Sequence, residues 1–139
     1  MTHAVLVDTG PLVAILDRSD SQHTTCVNAL SLFRTPLVTT WPVLTEAAYL
    51  LRQRPDLVQR LIRSPAEGFL RVEILTEIDA IAMAEIMDRY ADQHFQLADV
   101  SLMHLADRDR IGIIFTLDRR DFGVFRTNQG NPLNLIPNM

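Results

Sequence analysis

Short apolar runs alternate along this chain with longer stretches of helical periodicity. The first run, Ala4-Val5-Leu6-Val7, is brief, β-branched and closed by Asp8. That pattern predicts a strand buried on both faces. Thr9-Gly10-Pro11 predicts a turn, and Pro11 suits the first turn of a helix through Asp17. Ser19 followed by Gln22 predicts a capping box heading a helix to about Phe33. Pro36-Leu37-Val38-Thr39 reads as a short strand. Trp41-Pro42 opens a predicted helix to about Arg52, and another runs from Asp56 to about Arg63. Residues 69–75 alternate enough to predict a strand nearer an edge. Thr76 with Asp79 predicts a capping box on a long helix to about His94, followed by a helix from Ala98 to Asp109. Ile113-Ile114-Phe115-Thr116-Leu117 is a second apolar strand, ending at Asp118, and 133–136 is a weak last strand. Strands alternating with helices predict an α/β fold with a parallel sheet covered on both faces. No repeat, low-complexity tract or linker interrupts residues 1–139, so a single domain is expected.

Composition narrows the class. Apolar residues make up 47% and charged residues 22% of the 139, which fits a globular domain rather than a disordered one. The single cysteine, Cys26, excludes an internal disulfide framework and a cysteine-based zinc site. No window approaches the ~20 apolar residues of a membrane span, and no Lys or Arg precedes the first apolar run as a secretory signal would require. A soluble, cytoplasmic protein with no membrane partner is expected. Acids number 17 against 13 bases, giving −4, and every base is Arg. That balance lacks the basic field common in nucleic-acid binders and excludes a polybasic membrane anchor.

The positions of the acids change the picture. Asp8 and Asp118 each lie just past the end of a buried strand, and open α/β sheets bind ligands outside the carboxyl ends of their strands. Glu46 shares a helical stripe with Val43, Ala47 and Leu50, and Asp99 shares one with Leu102, Met103 and Ala106. Charged residues on core-facing stripes break binary patterning, and such breaks mark functional sites. Each acid also has an ordinary reading. Asp8 and Asp99 could cap helices, Asp118 could serve a turn, and Glu46 could pair with an Arg. If the four converge, however, two carboxylates ~4 Å apart at an effective dielectric of ~20 repel by ~4 kcal/mol. Such a cluster either takes up protons or binds a divalent ion. Oxygen ligands without Cys or a nearby His select Mg²⁺ or Mn²⁺ over zinc, and such a site suits phosphodiester hydrolysis.

Four motifs carry a family resemblance. They are Val7-Asp8-Thr9-Gly10, Thr45-Glu46-Ala47, Leu97-Ala98-Asp99-Val100 and Thr116-Leu117-Asp118-Arg119-Arg120-Asp121-Phe122. In order, spacing and total length the chain resembles PIN-domain ribonucleases, most closely the VapC toxins of toxin–antitoxin pairs. The resemblance implies a three-layer α/β/α fold with a four- to five-stranded parallel sheet. It implies a Mg²⁺- or Mn²⁺-dependent endoribonuclease, a homodimer, and a cognate antitoxin whose C-terminal segment blocks the site. By the same resemblance Asp8 and Asp99 would be the main metal ligands, and Glu46 and Asp118 would complete the cluster directly or through water. Thr116 matches a supporting polar position, and Thr9 and Asp121 are further supporting candidates. Asp121 either shares the role of Asp118 or caps the short helix that follows. A metal-activated water would attack phosphorus in line, leaving a 5′-phosphate and a 3′-hydroxyl.

RNA would then be held by local arginines. Arg119 and Arg120 adjoin Asp118, and Arg52, Arg54, Arg60 and Arg63 in the middle segment, with Arg126, are the others; the alternative for the middle group is a solvated face. His3, His23, His94 and His104 lack metal-ligand spacing and read as surface or satisfied residues. Met83, Met87 and Met103 recur at helical spacing, as core or dimer-face packing, and Gly10 is expected to serve the turn after the first strand. Other α/β readings fit less well. A haloacid-dehalogenase-like phosphatase wants an acid where Gly10 stands, and a response-regulator receiver wants a lysine the chain lacks. A PIN fold without catalysis, and a solitary RNA-processing nuclease without an antitoxin, remain the alternatives.

Overall fold

Five strands of two or three residues form one parallel sheet, and the order of the strands sets where its crevice opens. The computed structural model describes residues 3–138. In chain order the elements are β1 (Leu6–Val7), α1 (Thr9–Leu16), α2 (His23–Leu30), β2 (Leu37–Thr39), α3 (Trp41–Leu50), α4 (Pro55–Arg63) and β3 (Leu70–Val72). There follow α5 (Glu77–Arg89), a 3₁₀ turn (Ala91–Gln93), α6 (Leu97–Arg108), β4 (Ile113–Phe115), α7 (Arg119–Val124) and β5 (Asn134–Ile136).

The strand order is β3-β2-β1-β4-β5, with every pairing parallel. The chain first builds outward from β1 through β2 to β3, then crosses back to β4 and builds the other way. The right-handed crossover rule therefore puts α1–α4 on one face and α5–α7 on the other, giving the three layers. Packing agrees on each face, with α1 against α2, α3 and α4, and α6 against α5 and α7, while α3 and α6 also meet each other. The reversal falls between β1 and β4, so a crevice opens at their carboxyl ends, where such sheets bind ligands.

The sheet core is dry. Leu6, Val7, Leu37, Val38, Ile114 and Phe115 have no exposed surface. Residues 98–106 of α6 are buried on every side, as a helix sandwiched between neighbours must be. Asp8 lies one residue past β1, yet its N–H still donates to the Phe115 carbonyl at 2.9 Å. The ladder thus fixes the backbone of an acidic residue at the crevice. Among the described residues no helix is long and apolar enough to cross a membrane.

Several expectations are corrected. The Ser19/Gln22 capping box does not form. Asp17 captures both the N–H and the hydroxyl of Ser19, and Asp20 takes the N–H of Gln22, so α2 starts only at His23. Its end falls at Leu30, because tighter bonds from Ser31 to Asn28 and from Leu32 to Ala29 close it. Gly10 does not turn the chain, since α1 already begins at Thr9. A Cβ there would only touch the Leu117 side chain at 3.4 Å, an ordinary contact. The long helix predicted to His94 stops at Arg89, and His94 adopts a left-handed φ of 57°. The edge strand is shorter than 69–75, because α3 starts at Trp41 and leaves β3 no partner beyond Thr39. The Thr76/Asp79 capping box does form.

Asp79 also closes the far side of the helical layer. It accepts from the Thr76 N–H at 2.7 Å, pairs with His104 Nε2 at 2.7 Å and lies 3.3 Å from Arg108. His104 is thereby a satisfied histidine. The His104 bond and the Thr76 N–H hold the Asp79 carboxyl well below the usual carboxylate range. A depressed folded pKa gives stability that is present above the unfolded value near 4 and is lost as pH falls through the folded value. Asp79→Asn should therefore cost about 2–4 kcal/mol at pH 7. Urea melts should show the difference from wild type shrinking below about pH 4.

Candidate metal centre

The crevice at the reversal point is an open cleft of about 410 Å³ lined by Asp8, Thr9, Gly10, Glu46, Leu50, Gln96, Asp99, Leu117, Asp118 and Asp121. All four acids singled out from the sequence face it, and Asp121 is the fifth. They arrive from four directions: the end of β1, the middle of α3, the first turn of α6, and the loop and first turn after β4.

Hydrogen bonds aim these side chains. Asp8 is placed as the N-cap of α1, yet its side chain makes no capping bond. Instead its Oδ2 accepts from the Thr116 hydroxyl at 2.8 Å, and Thr116 Oγ1 in turn accepts from the Asp118 N–H at 2.9 Å. One buried hydroxyl so ties the ends of β1 and β4 together. Asp99 sits one turn inside α6, and its Oδ2 accepts from the Gln96 N–H at 3.1 Å. Its helix-cap role is thus real but belongs to the third helical position, not to the cap residue. Asp118 caps α7 by accepting from the Asp121 N–H at 3.0 Å. That corrects the reading of Asp121 as the cap. Capping falls to Asp118, and the Asp121 carboxyl turns into the cleft. Glu46 lies half-buried on α3, beside the fully buried Val43 and Ala47.

Electrostatics then becomes strained. One oxygen each from Asp99, Asp118 and Asp121 falls within a 4.8 Å sphere of mutual distance. At that spacing each ionised pair repels by about 3 kcal/mol at an effective dielectric of ~20. Asp8 is 5% and Asp99 8% exposed. Burial pushes the Asp8 carboxyl up to about 6, against the opposing pull of the Thr9 N–H and the Thr116 hydroxyl, with Glu46 and Asp118 adding repulsion. Burial also pushes Asp99 up to about 7, helped by the charges on Asp8, Asp118 and Asp121. Asp121 is raised by burial and by Asp118 beside it, while Arg120 acts in the opposite sense.

No arginine lines the cleft among the described residues. Arg119 donates to the Pro137 carbonyl at 2.7 Å. Arg52 stacks on the Tyr49 ring at 4.1 Å and donates to the Tyr49 carbonyl. Arg54 pairs with Asp56, Arg126 bonds the carbonyls of Gly123 and Phe125, and Arg60 and Arg63 are exposed on α4. Of the candidate bases only Arg120 registers on a cleft acid.

The donor set suits a small hard cation. It is all oxygen, with no Cys or His in the lining, which is the chemistry of Mg²⁺ and Mn²⁺ rather than zinc. Thr9 is 3% exposed and lines the same cleft, and its hydroxyl has no partner. Sequence reading missed Gln96, whose backbone holds Asp99. Its only signal was a polar residue three positions ahead of that acid.

Known proteins place this arrangement in context. The PIN domain family matches residues 5–126. Ribonuclease VapC26 of Mycobacterium tuberculosis (strain ATCC 25618 / H37Rv) is 30% identical over 135 residues, covering 96% of this chain and all of that protein. Among solved structures, Mycobacterium tuberculosis VapC20, a Sarcin-Ricin loop cleaving toxin, superposes with a TM-score of 0.77 at 18% identity, over 84% of this chain and 92% of that one. A toxin–antitoxin complex from Klebsiella pneumoniae gives 0.66 at 16% identity, over 88% and 92% of the two chains. VapBC2 from Rickettsia felis, bound to a DNA fragment from its promoter, gives 0.61 at 14% identity, over 95% and 96%. At these identities the structures share the fold.

A raised folded pKa means that the folded state holds protons the unfolded chain has released. Stability from these groups therefore falls as pH rises from about 4 through about 7. Asp99→Asn should raise the metal-free Tm at pH 8 by roughly 3–8 °C and leave it little changed at pH 4. Mn²⁺ should raise the wild-type Tm more at pH 8 than at pH 5, since it binds the deprotonated carboxylates. Thermal melts at both pH values, with and without Mn²⁺, check both statements.

Proposed function

Because the chain belongs to the PIN domain family, we propose that it is a divalent-metal-dependent endoribonuclease and the toxin of a toxin–antitoxin pair. The observation that carries the reading is the convergence of five carboxylates on one cleft at the sheet's reversal point, with only oxygen donors around them. The likeness to Ribonuclease VapC26 along nearly the whole chain supports RNA as the substrate.

Asp8 and Asp99, the two cleft acids raised furthest above the ordinary aspartate value, would be the principal ligands of a Mg²⁺ or Mn²⁺ ion. Glu46 and Asp118 would complete the set directly or through water, and Asp121 would add a fifth carboxylate. When bound, the ion offsets the clustered charge, makes a coordinated water more acidic and polarises a phosphoryl oxygen, which suits in-line phosphodiester hydrolysis. The protein supplies the rest. Thr116 holds Asp8 and the Asp118 backbone in one frame, and Gln96 orients Asp99. Arg120, whose charge reaches Asp121, is the base offered to a substrate phosphate.

The chain net charge of −4 makes the cleft a poor place for RNA unless a cation is present. The same charge makes it a good place for an antitoxin segment that brings an arginine among the acids, in the manner of a substitute cation. Toxin–antitoxin complexes share this fold. A homodimer and a cytoplasmic setting complete the reading.

Purified protein should cleave RNA in Mn²⁺ and stop in EDTA. Asp8→Asn should keep its fold and lose activity by roughly 100-fold or more. Gel analysis of a defined RNA, with circular dichroism of the variant, reads both. Cleavage that persists in Asp8→Asn counts against the site.

A further inference from the structure

Two hydroxyls with no exposed surface join the helices that carry Glu46 and Asp99. Thr40, the N-cap of α3, lies 2.7 Å through Oγ1 from Ser101 Oγ on α6. This is the side-chain hydrogen bond between α3 and α6 among the described residues. Thr40 Oγ1 also accepts from the Val43 N–H at 3.4 Å, and Ser101 Oγ donates to the Ala98 carbonyl at 2.7 Å.

A hydroxyl has one proton to give. Ser101 gives its proton to Ala98, so the proton between the two hydroxyls must come from Thr40. The bonds then run in one direction, from Val43 N–H to Thr40, from Thr40 to Ser101, and from Ser101 to the Ala98 carbonyl. Each hydroxyl donates once and accepts once. This relay ends on the residue next to Asp99. Its first hydroxyl, on Thr40, lies six residues, about 9 Å along the helix axis, before Glu46. Neither helix can slide along the other without breaking it, and a buried hydroxyl left without its partner is costly.

We propose that Thr40 and Ser101 are positioning residues that fix the separation of Glu46 and Asp99, and so tune the affinity of the cleft for a small divalent ion. This rests on the reading of the cleft as a metal site. Coordination demands donor placement to a few tenths of an ångström, and groups behind the ligands set that placement. Thr40 and Ser101 touch no ion themselves.

The test is calorimetric titration of the purified full-length protein with Mn²⁺ at pH 8, with metal-free thermal melts alongside. Thr40→Val keeps the shape and removes the hydroxyl. It should weaken Mn²⁺ binding about tenfold, as should Ser101→Ala. The double variant should weaken it no further, because one break already interrupts the relay. Thr40→Ser keeps the hydroxyl and should bind Mn²⁺ like wild type. Ser64→Ala removes another buried hydroxyl, one that bonds Leu61 at the end of α4. It should lower the metal-free Tm and leave Mn²⁺ affinity unchanged. Thr40→Val or Ser101→Ala variants that melt earlier but bind Mn²⁺ like wild type overturn the proposal, as does a Thr40→Ser as weak as Thr40→Val. Wild-type protein that takes up no Mn²⁺ overturns the metal reading and this proposal with it.

Discussion

Like charges held close together in a half-dry cleft are the constraint around which this structure is organised. Asp8 and Asp99 are almost fully buried, and both are pushed up toward neutrality, chiefly by burial, with neighbouring carboxylates adding to the effect. A fold selected for stability alone would replace such groups with apolar ones, since buried charges without partners of opposite sign cost several kcal/mol. Here no base lines the cleft among the described residues. Protons relieve part of that charge, and on the proposed reading the remaining partner comes from outside the chain. A hard divalent cation meets that need, and so does a basic group presented by another protein.

The rest of the molecule keeps that unfavourable cluster from relaxing. The reversal of strand order between β1 and β4 opens the crevice, and the parallel ladder continues one residue past β1 to hold Asp8. Thr116 bridges Asp8 to the backbone of Asp118, so two strand ends behave as one rigid unit. The first turns of α6 and α7 use their own acids to satisfy free N–H groups at Gln96 and Asp121. Capping and the presentation of carboxylates to the cleft are thus the same act. Asp99 and Asp118 each spend one oxygen on a structural bond, and the helix start then sets where the other can point.

The parallel sheet and the positions of Asp8 and Asp118 were legible because a doubly buried strand leaves a short β-branched run, and an acid closing such a run falls at the sheet's carboxyl edge. Glu46 and Asp99 stood out as charges on apolar stripes. What escaped was decided by competition among short-range bonds. Ser19 could head a helix, but Asp17 two residues earlier reaches its N–H first. Asp118 and Asp121 are three residues apart, and either could cap α7; the choice depends on the loop path past Leu117, which packs against Gly10. Ser101 left no pattern because residues 98–106 of α6 are buried all round, so a small hydroxyl there breaks no polar–apolar alternation. The arginines were placed by neighbours distant in sequence, such as Pro137 for Arg119.

The central claim is that the cleft acids resist ionisation until a cation arrives. Carboxyl carbon NMR of isotopically labelled protein, titrated from pH 3 to pH 9 with and without the diamagnetic Mg²⁺, tests it at single residues. Without Mg²⁺, Asp8 should titrate near pH 6 and Asp99 near pH 7. With saturating Mg²⁺ both midpoints should fall below the ordinary aspartate value of about 4. Midpoints near 4 in metal-free protein, or midpoints that Mg²⁺ leaves in place, would contradict the account.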